Sequence, residues 1–444
     1  MVRAHGIGGA ADLPIPLSFV VVGAGVALAL SFAVMALAWR TSRFDEPRDG
    51  RLLPAWVATA VDSAWLRGAI RVLGLVVAAY VGWAAVAGGD APENPALGVF
   101  YIYLWVGLVP VSLLLGHVWP LLSPVRTIHV AVSRLLRTPP SEGSADYPPW
   151  LGCWPAAIAL FAFVWTELVN PAAEHVSTVV TWVSLYTAVM LVGATLYGDR
   201  FLARADPFEA WFGLVARLSP WARVADGDGR SRVALRNPLV NLARVRPEPG
   251  LVALVAVLLG STAYDSFSRA VWWIQATAGS AFVPPVVRET AVLLGFVLLV
   301  GVSFSVAAVM GSGATGGERR RLPARLAHSL VPIGVGYVFA HYLTLLLESG
   351  QAYLIFLSDP MVTGEADLLG TRDWTITYFL SLRPTLLATL KVGFVLLGHV
   401  LAVVAAHDRA VRLLPPAHAV RGQLAMLVLM VCYTVGGLLL LFSV

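Results

Sequence analysis

Long runs of apolar residues, separated by shorter polar segments, fill most of the sequence. A hydrocarbon core of about 30 Å needs about 20 apolar residues to be crossed by one helix. We therefore predict an all-α fold, a polytopic transmembrane helical bundle that forms a single integral-membrane domain over residues 1–444. The ten predicted spans cover residues 17–39, 72–88, 99–117, 152–169, 178–197, 250–268, 287–310, 327–347, 382–406 and 422–443.

Arginine is concentrated in every second segment between these spans. Six, three, nine, four and three Arg fall in segments 40–71, 118–151, 198–249, 311–326 and 407–421. Positive charge marks the cytoplasmic loops of membrane proteins, so the alternation predicts that both termini are extracytoplasmic. The longest predicted cytoplasmic loop is 198–249, and the longest outer loop is 348–381. Apolar residues at helical spacing in the former indicate either a helix in the headgroup layer or a solvated loop with one short helix.

Composition supports a membrane protein and excludes several soluble classes. Of the 444 residues, 58% are hydrophobic and 13% charged, and the mean hydropathy is +0.76. A soluble chain carries about 25% charged residues, so a soluble enzyme or a nucleic-acid-binding module is excluded. In a membrane protein the net charge of +5 marks cytoplasmic loops rather than a nucleic-acid partner, so the expected partners are membrane lipids. Cys153 and Cys432 lie in apolar runs, where they predict neither a disulfide framework nor a CxxC metal site.

Ionisable residues inside the spans are the candidates for chemistry, because each costs about 2.5–3.5 kcal/mol to insert. Glu167, Asp265 and His341 fall in the same half of the bilayer on three different spans. Carboxylate and imidazole ligands suit a divalent ion such as zinc or copper, which makes a metal site one hypothesis. A second hypothesis is that each of these groups is paired locally, with Arg269, Arg288 or a backbone carbonyl. A third is transport or a proton relay.

Two further residues in the same half of the bilayer are candidates for catalysis. Glu289 opens the seventh span and is a candidate general base. Lys391 lies about 13 Å inside the ninth span and His341 about 9 Å inside the eighth, at 1.5 Å per residue. Because these two spans run antiparallel, both side chains fit one pocket, where Lys391 would stabilise developing negative charge.

Histidine spacing argues against a pair of haems. His328 and His341 are thirteen residues apart, a spacing typical of two-haem helices. His399 and His407 are only eight apart, about 12 Å, so they cannot supply the second ligand to each of two stacked haems.

Several strings resemble a family of multi-span actinobacterial membrane proteins labelled fenitrothion hydrolase. The resemblance rests on AHGIGGAADLPIP, TELVNP, GDRFLARADPFEAWFG, LLGSTAYDSFS, AHSLVPIGVGYVFAHY and GHVLAVVAAHDRA. It implies a membrane-bound hydrolase of lipophilic (phospho)esters, although the chain lacks the paired-histidine metal motif of soluble phosphotriesterases. The alternatives are a non-enzymatic transporter or ion pathway and an accessory subunit of a larger copper-linked or respiratory membrane complex.

Overall fold

Ten apolar helices form the bundle in the computed structural model, which describes residues 9–44, 50–225, 228–279 and 283–442. They are α1 Leu17–Ala38, α2 Ala64–Ala87, α3 Pro95–Leu115, α4 Trp154–Leu168, α5 Val176–Tyr197, α6 Leu251–Ser268, α7 Pro285–Val309, α8 Gly316–Phe356, α9 Pro384–Leu413 and α10 Arg421–Phe442. Each overlaps one predicted span, so the polytopic all-α bundle is confirmed. Within the described ranges, all but α4 are long and apolar enough to cross a membrane.

Alternate loops meet at the same end of the bundle, as the charge pattern predicts. The backbone N–H of Cys153, before α4, donates to the carbonyl of Pro249, before α6, at 2.7 Å. At the opposite end, Tyr101 of α3 donates to the carbonyl of Ala173, after α4, at 2.9 Å. The short helix α4 therefore connects the two ends. We call them the arginine-rich end and the arginine-poor end. The charge pattern predicts that both termini are extracytoplasmic. Residues 1–8 and 443–444 of these termini are not among the described residues.

Helices α2 and α8 begin well before their predicted first residues. Helix α2 begins at Ala64 rather than 72, because Ser63 caps it: its hydroxyl accepts a hydrogen bond from the Leu66 N–H at 3.2 Å. Helix α8 begins at Gly316 and so includes basic residues that were assigned to a loop. Lys and Arg side chains on such helix ends reach the interface through their long stems, so an apolar count alone misses these turns.

Short elements build a lobe at the arginine-rich end. Strands β1 Arg51–Leu52, β2 Trp221–Ala225 and β3 Ser231–Leu235 form an antiparallel sheet in the order β1-β3-β2. Short helices in the segments between the spans are Ala55–Asp62, Trp119–Leu122, Pro124–Leu135, Asp199–Ala205, Pro207–Val215 and Pro238–Leu242, with 3-10 turns at Ala216–Leu218 and Pro416–His418. Outside this lobe, the described chain has the short helix Val271–Thr277 and a 3-10 turn at Ala10–Asp12. Phe208, Trp211 and Phe212 are almost fully buried. These apolar side chains of loop 198–249 therefore pack inside the protein, not in the headgroup layer.

Helices α6 and α8 occupy the interior of the bundle. About three quarters of their apolar windows is buried, 72% and 78%, against 6% for α2. Glycine allows α8 and α9 to pack closely: a Cβ on Gly336 would lie 2.5 Å from the Phe394 carbonyl oxygen, and one on Gly398 would lie 2.6 Å from that of Pro332. Small residues at such contacts are typical of packed membrane helices. Polar side chains on α6 and α8 are consequently held away from lipid.

Candidate functional site

A buried carboxylate on the last turn of α6 is the centre of the candidate site. Asp265 is 1% exposed. It lies in the more polar string STAYDS, which follows the apolar first half of α6. Its Oδ2 lies 2.7 Å from Nε2 of His341 on α8. Its Oδ1 lies 2.9 Å from Nη2 of Arg269, one turn later on the chain. Tyr342 donates its hydroxyl to Oδ2 at 3.1 Å. A buried charge needs such partners to offset its desolvation.

The second ring nitrogen of His341 continues the hydrogen-bonded chain. Nδ1 lies 3.3 Å from the Ser266 hydroxyl, which lies 3.0 Å from the hydroxyl of Tyr337. The Tyr337 ring also stacks on the imidazole, with the ring centroids 6.1 Å apart. When Nε2–H donates to Asp265, Nδ1 is the unprotonated nitrogen that accepts from Ser266, so the carboxylate determines the tautomer. We call Asp265, Ser266, Arg269, Tyr337, His341 and Tyr342 the Asp–His cluster.

Glu167, on the last turn of α4, lies within electrostatic range of Asp265 and Arg269. Its Oε2 is inaccessible to solvent and has no hydrogen-bond partner among the described residues. The same holds for the hydroxyl of Thr344, three residues beyond His341 on α8. A buried carboxyl oxygen without a partner is costly, and it has capacity to bind a proton, a water molecule or a cation.

The predicted metal ligands are only partly brought together. Asp265 and His341 are in direct contact, but they are hydrogen-bonded to each other. Across the described ranges, no group of three or more His, Cys, Asp or Glu side chains is placed to hold a metal ion. Since a metal ion needs several convergent ligands, the zinc or copper site stays a prediction that would require Glu167 to approach the other two.

The two predicted catalytic side chains have other neighbours. Glu289 accepts hydrogen bonds from Arg288 Nε and from the Tyr264 hydroxyl, each at 2.9 Å. Lys391 is 2% exposed on α9, and Asp12, before α1, is a charged neighbour. The pair Arg269–Asp265 is one of the local pairings that the sequence allowed as an alternative, whereas Arg288 pairs with Glu289. The roles of Glu289 as a base and of Lys391 as a charge stabiliser stay predictions.

Sequence reasoning missed three members of the cluster. Ser266 follows Asp265 directly, and Tyr337 and Tyr342 flank His341 on α8. A tyrosine in an apolar helix still needs a partner for its hydroxyl, which is the signal that could have found them. The polar groups at the arginine-rich end form a separate set: His407, for example, lies 2.9 Å from Gln423 Oε1 and 3.0 Å from the Trp39 carbonyl oxygen.

Comparison of the chain with protein-family models, with curated proteins and with solved structures gave no match. The geometry of the Asp–His cluster within a multi-span membrane protein therefore carries the functional argument.

Proposed function

We propose that this multi-span membrane protein moves protons through the Asp–His cluster, as a proton carrier. The observation that carries the proposal is the continuous chain Arg269–Asp265–His341–Ser266–Tyr337, in which an imidazole lies between a carboxylate and a hydroxyl. Ionisable groups at membrane depth that face the protein interior are typical of proton and ion pathways. Histidine is the side chain best suited to exchange protons near neutral pH.

The chain of groups begins near solvent and ends among apolar side chains. Arg269, whose side chain is 27% exposed, lies at the arginine-poor end. Tyr337, at the other end of the chain, belongs to an apolar cluster with Val20, Val395 and Leu438. A pathway that is polar on one side and closed by packing on the other suits a carrier that loads its proton from one side, rather than an open channel. The Oε2 of Glu167, which has no hydrogen-bond partner among the described residues, is a further acceptor within electrostatic range of Asp265.

Proton movement can be measured with the purified chain in liposomes that contain a pH-sensitive dye. A potassium diffusion potential then drives protons inward. We expect acidification above that of empty liposomes, and a rate at least about tenfold lower for His341→Gln, since loss of a general acid–base group typically costs about 10²–10⁴ in rate. Equal rates for the two proteins, or no flux above empty liposomes, would reject the proposal.

His175→Gln is the matched control for this experiment. His175 forms a similar pair with Asp90, at 2.9 Å, at the same end of the bundle, but 61% of its side chain is exposed. A proton relay through the buried cluster predicts an unchanged flux in this variant. A general effect of losing any histidine–aspartate pair predicts the same decrease in both.

A hydrolase of lipophilic esters is the second candidate, favoured by one geometric observation and by the sequence resemblance. Ser266, His341 and Asp265 stand in the order of a nucleophile, a base and an orienting carboxylate. Ser266 is fully buried, so the surrounding helices must open before a substrate can reach it. Labelling with a fluorophosphonate and hydrolysis of fenitrothion would both be lost in Ser266→Ala but not in Ser268→Ala. No labelling of the unsubstituted protein would reject this mechanism.

The metal-dependent form of this hydrolase makes a separate prediction. It requires a stoichiometric zinc or copper ion in the purified protein, and loss of that ion in Asp265→Ala. Elemental analysis of both proteins distinguishes it from the serine mechanism, which needs no bound ion.

A further inference from the structure

A large cavity at the arginine-rich end lies apart from the Asp–His cluster. Its volume is about 1350 Å³, larger than the range of about 300–1,000 Å³ that is typical of small-molecule sites. The short helix Ala55–Asp62, the end of α3, the start of α6 and the segment 200–246 line it. It is therefore formed by loops that the sequence separates by more than a hundred residues.

Arginine dominates the charge of this cavity. Eight of its lining residues are Arg, against two carboxylates, Glu209 and Glu248. Each carboxylate already has an arginine partner: Arg126 binds Glu209 at 2.7 Å, and Arg204 binds Glu248 at 2.8 Å. Both acidic side chains of the cavity wall are thus already paired with an arginine.

The side chains of four lining arginines, in contrast, make no hydrogen bond or ion pair with any residue of the described ranges. They are Arg200, Arg217, Arg244 and Arg246. The pKa of Arg217 lies below its ordinary value, first because the protein encloses it and then because Arg246 and Arg244 repel its charge. Like charges gathered in this way are unfavourable unless an anion lies between them. Planar guanidinium groups bind the oxygens of a phosphate through paired hydrogen bonds.

Apolar side chains line another part of the same cavity. Val57 and Val61 of the short helix Ala55–Asp62 contribute, and so does Leu115 at the end of α3, which is 66% exposed. Trp56 and Trp65, which are close in sequence to the lining residues Val57 and Arg67, are 69% and 80% exposed. Exposed tryptophans at the end of a membrane bundle are typical of the lipid headgroup layer. The ligand that fits both parts carries a phosphate on an apolar body.

We propose that this cavity binds the phosphate headgroup of an anionic lipid, with Arg217, Arg244 and Arg246 around the phosphate and the acyl chains along the Val57 wall. Basic pockets between helices are known to take phosphorylated headgroups in other membrane proteins. The site is independent of the proposed proton pathway, so either can fail without the other.

Titration of the purified full chain with dioleoyl phosphatidic acid, followed by native mass spectrometry, tests the proposal. We expect binding that phosphatidylcholine does not reproduce. In the double variant Arg217→Gln/Arg246→Gln the affinity falls at least about tenfold, the effect of losing one charge-assisted hydrogen bond. The control Arg319→Gln/Arg321→Gln removes two exposed arginines from the start of α8, outside the cavity, and leaves binding unchanged.

A thermal melt provides a second measurement on the same proteins. Removal of two mutually repelling arginines leaves the melting temperature of the lipid-free protein unchanged or higher, so a misfolded variant is recognised by a decrease. Phosphatidic acid raises the melting temperature of the unsubstituted protein and the control, but not of the double variant. Equal lipid binding by the double variant would overturn the site. If inorganic pyrophosphate saturates the cavity but phosphatidic acid does not bind, the proposal that its ligand is a lipid would be overturned.

Discussion

Arg126 binds Glu209 through two hydrogen bonds, from Nε to Oε2 at 2.9 Å and from Nη2 to Oε1 at 2.7 Å. Arg126 lies on the short helix Pro124–Leu135 and Glu209 on the short helix Pro207–Val215. The pair therefore joins the loop between α3 and α4 to the loop between α5 and α6. Glu209 is 4% exposed, so its carboxylate depends on this partner.

Loss of the arginine is expected to destabilise this junction. Arg126→Met should lower the free energy of unfolding by about 1–3 kcal/mol, since a buried acceptor loses its donors. The loss should be greater at pH 8 than at pH 5, because Glu209 can take a proton at the lower pH. Thermal melts of the detergent-purified protein at the two pH values measure it. An equal loss at both would show that Glu209 is not the group affected.

The pH dependence of stability gives a separate prediction for Glu209. Burial raises the pKa of Glu209 from 4.5 to about 7, although Arg126 acts in the opposite direction. The folded chain therefore holds this proton more tightly than the unfolded chain. The contribution of Glu209 to stability is largest below pH 4.5 and falls as the pH rises to about 7. A shallower slope in Glu209→Gln over that interval is expected, and an identical slope would contradict the assignment.

The contact between α8 and α9 can be tested with two glycines of α9. Gly398→Ala places a methyl group 2.6 Å from the carbonyl oxygen of Pro332, so we expect a loss of about 1–3 kcal/mol from overpacking. Gly393→Ala is the matched control, because nothing lies within 4 Å of its added carbon. Alanine favours the helix there by up to about 1 kcal/mol. Similar melting temperatures for both variants would argue against the close contact.

Asp265 should contribute strongly to stability as well as to function. Asp265→Asn removes the negative charge that pairs with Arg269 and orients His341. Breaking a buried pair in this way costs about 3–5 kcal/mol. Asp90→Asn, in the exposed pair with His175, is expected to leave the melting temperature unchanged, because solvent screens that pair. A small effect of Asp265→Asn would mean that the cluster is solvated.

The orientation of the bundle is tested by labelling single cysteines. After replacement of Cys153 and Cys432 by alanine, cysteine is introduced at Asp373 or at Ser231, which are exposed at opposite ends. The arginine alternation predicts that a membrane-impermeant maleimide labels Asp373→Cys on intact cells, and labels Ser231→Cys only after permeabilisation. The reverse result would invert the topology.

The bundle could be predicted from the sequence because apolar length and arginine alternation are independent signals that agree. Helix α4 shows this: with 15 residues it is short, yet the alternation of basic loops required a crossing there. The sheet could not be predicted, because β1 has only two residues and pairs with a strand 180 residues later. Its register depends on tertiary contacts that carry no local periodicity.

The candidate site could be predicted only in part. The insertion cost of Asp265 and His341 revealed both residues, and the antiparallel order of α6, α7 and α8 brought them together. Lys391 fell at a similar depth, but depth does not specify the direction in which a side chain points. Helix rotation depends on packing such as that of Gly336 against Phe394, which a single sequence does not specify.

The small sheet has a consequence for how the protein is made. Its middle strand, β3, is also the last to leave the ribosome, and β1, directly after α1, has no strand partner until then. Helices α2 to α5 are therefore synthesised before the first loop can pair its strand. The arginine-rich lobe closes late in biogenesis, and a chain truncated before residue 231 cannot form it.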